Sequence, residues 1–217
     1  MHRTAGGIAL LLISAVAGCA LLSDKTPPAY DARGRIENNT YTSPTGSFKL
    51  RLPELSSSGV NIRDEVPSPG TLLLSIRDDL CREFIVSERP GNPGTLSLES
   101  WVNENIVRQL RASGINVEEL KTRKTRHGTA VSFRYRQPNA APCVQTAVKE
   151  GKRIQSTPDA DVAWYVFYNT GSFYRLIYAL GVGEGLKQMW FVKKGPADEL
   201  LERFADGFQI TAATEKK

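Results

Sequence analysis

The chain has 217 residues, of which 41% are hydrophobic and 24% charged, and its formal net charge is +5. This length supports one domain with a substantial core, and the mild positive charge is not a nucleic-acid-binding signature. With two histidines and three widely spaced cysteines, the composition excludes a zinc site of several histidines and a redox Cys-x-x-Cys pair. We expect no metal and no cofactor.

The N-terminus has the pattern of a secretory leader. A basic residue, Arg3, precedes an apolar run of 12 residues, 6–17, which is shorter than the roughly 20 residues that a membrane-spanning helix needs. The run ends in Val16-Ala17-Gly18-Cys19, which resembles a bacterial lipobox. The resemblance implies that residues 1–18 are a lipoprotein signal peptide and that Cys19 is the lipidation site and carries acyl chains such as palmitate. The alternative is an ordinary signal peptide that contains a cysteine by chance.

Lipidation would make the membrane a partner through the N-terminal acyl chains, because more than one chain gives stable anchoring. Ala20 follows the cysteine, and aspartate at that position commonly signals inner-membrane retention in enteric bacteria. By this analogy we expect an outer-membrane lipoprotein that faces the periplasm. Residues 19–40 are rich in Pro, Gly, Asn, Ser and Thr, which predicts a lipidated N-terminus and flexible tether. Residues 41–212 are then a single domain.

The sequence patterns in the first half of that domain predict strands followed by a helix. Alternating apolar and basic residues predict a strand over 48–52, and short apolar runs predict strands over 71–76 and 83–87. Ser97 has the position of a helix cap and Gly114 that of a helix stop. Leu98, Val102, Ile106 and Leu110 recur every four residues between them, so this helix is amphipathic.

The second half predicts further strands and a closing helix. The expected strand regions are 117–126, 129–135, 143–149, 162–168, 173–180 and 189–192. Pro196 then opens a helix whose apolar face is Leu200, Leu201 and Phe204 and which Gly207 ends. These elements indicate the α+β class, with an antiparallel sheet flanked by helices.

The stretch Tyr41-Thr-Ser-Pro-Thr-Gly-Ser-Phe-Lys-Leu-Arg-Leu-Pro53 resembles the opening strand of PsbP-like domains. The helix that begins at Ser97 and the closing helix with its Gly207-Phe208-Gln-Ile210 tail are similar too. The resemblance covers residues 41–210. It implies a PsbP-like α/β sandwich with helices on both faces of the sheet, and frequently a role in binding other proteins. It implies no catalytic residues.

The two cysteines after Cys19, Cys81 and Cys143, are expected to form a disulfide, because exported chains mature in an oxidising compartment. The alternative is two buried free thiols. A bridge over this separation is worth roughly 4 kcal/mol in the chain-entropy model.

Candidate catalytic residues are few. After the leader the one histidine is His127, in the basic turn Thr125-Arg126-His127-Gly128, and no Gly-x-Ser-x-Gly elbow is present. We interpret His127 as a solvated turn residue and predict no catalytic site and no metal site. The acid pairs Asp78-Asp79, Glu118-Glu119 and Asp159 with Asp161 are explained by solvation, metal binding being the alternative.

The densest basic run is Lys121-Thr-Arg-Lys-Thr-Arg126. A period of two places Lys121 and Arg123 on one face and Lys124 and Arg126 on the other, so neither face is expected to be buried. The run predicts an edge strand that charge protects from pairing. The functional alternative is attraction to anionic headgroups or to an acidic partner.

An aromatic hairpin is expected around Asn169-Thr-Gly-Ser172. If its loop is centred on Thr170 and Gly171, Val166 pairs with Arg175, and Arg175 shares a face with Trp164 and Tyr168. One interpretation is a core face with Arg175 at its edge. The other is an exposed binding patch of Trp164, Tyr168 and Arg175, residue types that dominate binding hot spots.

The sequence therefore favours a non-enzymatic protein-binding or assembly module with an envelope protein as partner and no affinity for nucleic acid. One alternative is a carrier of a small apolar ligand, since a sheet-and-helix sandwich can enclose a pocket. The other is a hydrolase without a known motif.

Overall fold

The computed structural model describes residues 30–31, 33–52, 60–68, 71–78, 81–118, 120–126, 128–149, 152–169, 171–182 and 197–211. The expected leader, Cys19, His127 and the expected strand at 189–192 lie outside these residues. Within the described residues, no helix combines the length and the apolar character that crossing a membrane requires.

The described residues form fourteen strands and two helical segments. The strands are β1 Tyr30–Asp31, β2 Arg35–Glu37, β3 Thr40–Thr42, β4 Phe48–Arg51, β5 Asn61–Ser68, β6 Thr71–Arg77, β7 Arg82–Pro90, β8 Lys121–Thr125, β9 Gly128–Gln137, β10 Gln145–Lys149, β11 Lys152–Ser156, β12 Asp159–Asn169, β13 Ser172–Val182 and β14 Phe208–Ile210.

One large sheet organises the domain, with the strand order β1-β5-β6-β7-β13-β12-β9-β8. All its pairings are antiparallel except that of β1 with β5. We call the face that carries Val166, Arg175 and Ile177 the front face, and the opposite one, which carries Tyr165, Tyr174 and Leu176, the back face. Side chains alternate between the two faces along each strand. A second sheet has the order β14-β4-β3-β2, and β10 and β11 form a separate hairpin.

The front face is covered in part by one continuous helix, which we call the front helix. It comprises α1 Leu98–Val102, a π-helical turn Asn103–Val107 and α2 Arg108–Ala112. As predicted, the Ser97 hydroxyl caps it by accepting from the Ser100 amide at 3.1 Å. Gly114 ends it with φ +81°, while the Ile115 amide donates to the Leu110 carbonyl at 3.0 Å, as in a Schellman motif.

The back face packs on the second sheet and on the closing helix, α3 Ala197–Asp206. The core between these layers contains the fully buried Tyr41, Phe48, Tyr174 and Phe208, and α3 contributes Leu201 and Phe204. Helices therefore lie on both faces of the large sheet, as the PsbP resemblance implies. The balance differs from the expected α+β sandwich, because strands make most of the described structure and a sheet covers much of the back face.

The ordered sheet begins earlier than the expected domain boundary at residue 41. Strand β2 pairs with β3 through Ile36 and Tyr41, and β1 pairs with β5 through Tyr30 and Ile62. Asp64 holds this region together by accepting from the Gly34 amide at 2.7 Å and from the Tyr41 hydroxyl at 2.7 Å. Residues 30–40 thus include strands of the domain, where the sequence predicts a tether.

The predicted disulfide is present, and it joins Cys81 to Cys143 across 62 residues. Cys81 is 1% exposed, in the connection between β6 and β7, and Cys143 precedes β10. The Gly181 amide donates to the Cys81 carbonyl at 2.9 Å, which fixes the bridge to the end of β13. The bridge therefore links the central strands of the large sheet to the β10–β11 hairpin.

Candidate functional site

The aromatic hairpin has the predicted register. Val166 pairs with Arg175, Tyr165 with Leu176 and Phe167 with Tyr174. Gly171 has φ +78° in the connecting turn, a conformation that residues with a side chain rarely adopt. The hairpin therefore places Trp164, Tyr168 and Arg175 together on the front face.

Trp164 belongs mainly to the packing beneath the front helix. Its indole stacks on Phe133 at 5.4 Å between ring centroids, and its Nε1–H donates to the Tyr135 hydroxyl at 3.3 Å. It is nevertheless half-buried rather than enclosed. Trp164 therefore contributes both to the core and to the surface beside the helix.

Tyr168 lies near the turn of the hairpin and is also half-buried. Its ring is tilted against Phe173 at 5.1 Å, and Phe173 stacks on Trp101 of the front helix at 3.8 Å. The end of the hairpin and the start of the front helix are thus joined by three aromatic rings. These packed rings give the front face an apolar surface next to the position of Arg175.

Arg175 is the unusual group of this surface. The residue is half-buried, and its Nε is buried without a hydrogen-bond partner among the described residues. Burial lowers the pKa of the guanidinium, and the positive charge of Arg89 lowers it further. Arg175 therefore has the environment of a cation that lacks its counter-ion.

The pairing of β13 with β7 explains the influence of Arg89. Arg175 lies opposite Ser87 and Phe173 lies opposite Arg89, so the two arginines are diagonal neighbours on the front face. The Cα atoms of such diagonal neighbours are roughly 7–8 Å apart. Arg89 is exposed, and the two side chains give this part of the sheet a concentrated positive charge.

The acids of β7 are committed to other partners. Glu83, on the front face, accepts from Arg77 Nε at 2.9 Å and from the Ser75 hydroxyl at 2.6 Å. Glu88 points to the back face, where it accepts from the hydroxyls of Ser47 at 2.6 Å and Tyr174 at 3.2 Å. Neither carboxylate neutralises Arg175.

The basic run forms the predicted edge strand, since β8 ends the large sheet. Two of its cations have structural partners: Arg123 bonds to Glu202 of α3, and Arg126 donates to the carbonyls of Asp206 and Phe208. Lys121 and Lys124 are exposed. Part of the run therefore attaches the edge strand to α3 and β14.

The interpretation of the acid pairs as solvated fails for Asp78, which is buried. Glu118 is exposed, and Asp79 and Glu119 lie outside the described residues. Asp78 is 8% exposed and accepts from the Arg82 guanidinium at 2.7 Å. Glu118 pairs with Arg134, and Asp161 with Arg136. In the part of the chain that is described, no three His, Cys, Asp or Glu side chains are grouped as a metal site would need.

Clefts on the described surface include the following two. One of about 30 Å³ lies beside Ala163, Trp164 and Leu201, which is far below the roughly 300–1,000 Å³ of typical ligand pockets. The other, of about 360 Å³, is bordered mainly by charged residues, among them Arg33, Arg63 and Glu65. Neither cleft has the size and apolar lining that a hydrophobic ligand requires.

Sequence reasoning missed Arg89, Ser87 and Trp101 as neighbours of the site. Arg89 and Ser87 lie near Arg175 through the pairing of β7 with β13, strands that are separated along the chain by the front helix and five further strands. Trp101 lies on the front helix, and its stack on Phe173 is a contact between residues far apart in the sequence. The alternation of Glu83, Ile85, Ser87 and Arg89 was the available signal.

No family model and no curated protein matches this chain. Its structure is similar to the solution structure of cyanobacterial PsbP (CyanoP) from Synechocystis sp. PCC 6803, at 12% identity and a TM-score of 0.46, over 90% of this chain and 99% of that one. It is also similar to the Saccharomyces cerevisiae Ran-binding protein Mog1p, at 12% identity and a TM-score of 0.46, over 81% of this chain and 96% of that one. A protein from Bacteroides thetaiotaomicron has a TM-score of 0.40 at 13% identity, over 84% of this chain and 52% of that one. PsbP is the family that the sequence resembles, and all three scores lie below 0.5.

Proposed function

We propose that this chain is a non-enzymatic protein-binding or assembly module of the bacterial envelope. In this proposal Cys19 carries the acyl chains that hold the domain at the outer membrane on the periplasmic side. The observation that carries the binding role is Arg175, a half-buried cation with an unpaired Nε beside Tyr168 and Trp164. These three residues are the proposed binding site.

The energetic argument concerns the cost of keeping such a cation. A buried donor without a partner costs about 1–3 kcal/mol, and an apolar side chain of similar length would avoid that cost. Residues that reduce stability in this way are commonly retained for function. A partner that supplies the missing acceptor would recover the cost on binding.

The residues around Arg175 fit a protein partner. Aromatic and arginine side chains provide most of the binding energy at many protein interfaces. Tyr168 and Trp164 are already ordered by ring contacts with Phe173 and Phe133, so binding would cost little side-chain entropy. No specific observation among the described residues favours the apolar-ligand carrier or the hydrolase.

Site-specific photo-crosslinking in intact cells tests the binding role. A photoreactive amino acid at Tyr168 should give a defined protein adduct, whereas the same group at Lys49, an exposed residue of β4 on the second sheet, should not. Arg175→Gln should reduce the adduct formed through the photoreactive group at Tyr168, without lowering the melting temperature. Equal adducts at Tyr168 and Lys49 would contradict the proposal, as would a loss of adduct that only accompanies unfolding.

Metabolic labelling with palmitate tests the anchor. The wild-type chain should incorporate label, and Cys19→Ala should not. Absence of label on the wild type, or equal label on both chains, would remove the lipid anchor from the proposal while leaving the binding role of the front face intact.

A further inference from the structure

We infer that the front face binds a carboxylate at Arg175 and Arg89, supplied by an aspartate or glutamate side chain of the protein partner. This inference deepens the proposed function and rests on it for the source of the carboxylate. Its basis is the juxtaposition of an unpaired Arg175 Nε with a second guanidinium, Arg89, at the next position on the same face. Ser87 is the residue directly opposite Arg175 in the pairing of β7 with β13.

The donor geometry favours a carboxylate. A guanidinium presents Nε–H and one Nη–H in parallel, which matches the two oxygens of a carboxylate. The Nε of Arg175 makes no such bond within the described chain, so one edge of its fork is unfilled. Because this atom is buried while the residue as a whole is half-buried, the side chain must turn outward for a carboxylate to reach that edge. Arg89 adds a second positive charge without filling that edge.

The surroundings favour a singly charged group over phosphate. Arg175 is half-buried, and the aromatic side chains of Phe173, Tyr168 and Trp101 lie along one side of its position. Removing a dianion from water costs more than removing a monoanion. An acidic side chain also has an aliphatic stem that can pack on the rings, which inorganic phosphate lacks.

Among the described residues, three acids of the front side have other partners. On β7 the front-face acid is Glu83, which bonds to Arg77 and Ser75. On β5 the front-face acid is Glu65, whose Oε1 lies 3.9 Å from Nη1 of Arg63. On the front helix Glu99 accepts from the Thr122 hydroxyl at 2.7 Å. With these acids of the described residues engaged elsewhere, we expect the counter-ion of Arg175 from another molecule.

Nuclear magnetic resonance of the arginine side chains tests the inference on the wild-type domain. The Nε–H resonance of Arg175, assigned by its loss in Arg175→Lys, is followed during titration with sodium acetate, sodium phosphate and sodium chloride at matched ionic strength and pH. Acetate should shift this resonance saturably, phosphate should shift it less, and chloride should not saturate it. Arg89→Gln should weaken acetate binding roughly fivefold, the effect of removing a nearby exposed charge.

Arg136→Gln is the matched control, because Arg136 is exposed on the back face and pairs with Asp161 at 2.8 Å. It should leave acetate binding unchanged. Stronger binding of phosphate, an equal response to chloride, or no effect of Arg89→Gln would each overturn the carboxylate assignment. The photo-crosslink at Tyr168 is a separate readout: if it persists while acetate fails to bind, the binding role stands and the carboxylate inference falls.

Discussion

Replacing Arg175 with methionine should stabilise the folded domain. Methionine keeps most of the length of the aliphatic stem, so the packing against neighbouring side chains on the front face is largely retained. The substitution removes a buried Nε–H that has no acceptor and a charge that lies near Arg89. An unmet buried donor costs about 1–3 kcal/mol. After allowance for lost guanidinium contacts, we expect the free energy of unfolding to rise by about 1 kcal/mol.

The change is measurable by urea denaturation and by thermal melting. For a domain of this size, a gain of about 1 kcal/mol corresponds to a rise of about 2–4 °C in melting temperature. Arg136→Met is the control: it removes an exposed ion pair with Asp161, and such pairs contribute about 0–1 kcal/mol. The control should therefore leave stability unchanged or slightly lower, whereas Arg175→Met raises it.

A loss of more than about 1 kcal/mol in Arg175→Met would refute the reasoning, because losses of that size follow the removal of a satisfied buried group. Arg175 would then have an internal acceptor in solution, and its place in the proposed site would be structural. Combined with the crosslinking result, stability separates the two interpretations of this face that the sequence leaves open.

Three further predictions concern the rest of the fold. Replacing both Cys81 and Cys143 with alanine should lower the free energy of unfolding by roughly 4 kcal/mol, since the bridge closes a separation of 62 residues; a urea midpoint close to that of the oxidised protein would contradict this. Burial raises the pKa of Tyr41 and Tyr178 well above the usual value. The contribution of these two protonated side chains to the free energy of unfolding is therefore fully present below the unfolded-state pKa of about 10, and it is lost as the pH rises beyond that value. Urea midpoints that stay constant from pH 9 to 11 would contradict this pH dependence. On the edge strand, the double variant Lys121→Gln/Lys124→Gln should leave the melting temperature unchanged. Arg123→Gln should lower the melting temperature, because Arg123 bonds to Glu202 of α3 and to the Tyr165 hydroxyl. Equal melting of the two variants would disprove this difference.

The elements that sequence predicts well are those whose signals are local. Ser97 and Gly114 mark the front helix because cap and stop chemistry depend on residues within one turn. The register of β12 and β13 follows from a connector short enough to fix which residues face each other. The disulfide follows from composition, because after Cys19 two cysteines remain.

Strand β5 shows why other elements escape such reasoning. Its inward positions include Ile62 and Asp64, so the strand lacks the apolar alternation that identifies a half-buried strand. Asp64 is acceptable there because the Tyr41 hydroxyl and the Gly34 amide donate to it. These donors lie 23 and 30 residues away, and no local pattern reveals them. The same contacts draw residues 30–40 into the sheet, where composition alone predicts a tether.

The candidate site was only half predictable for the same reason. The hairpin register places Arg175 beside Trp164 and Tyr168, but the sequence leaves open whether an acid lies opposite. The fold answers this by placing Ser87 and Arg89 there and by directing Glu88 to Ser47 on the back face. A shift of β7 by one residue against β13 would bring Glu88 onto the front face, opposite Arg175, and remove the unmet charge. The register between β7 and β13 is therefore what leaves Arg175 half-buried and without an opposing acid among the described residues.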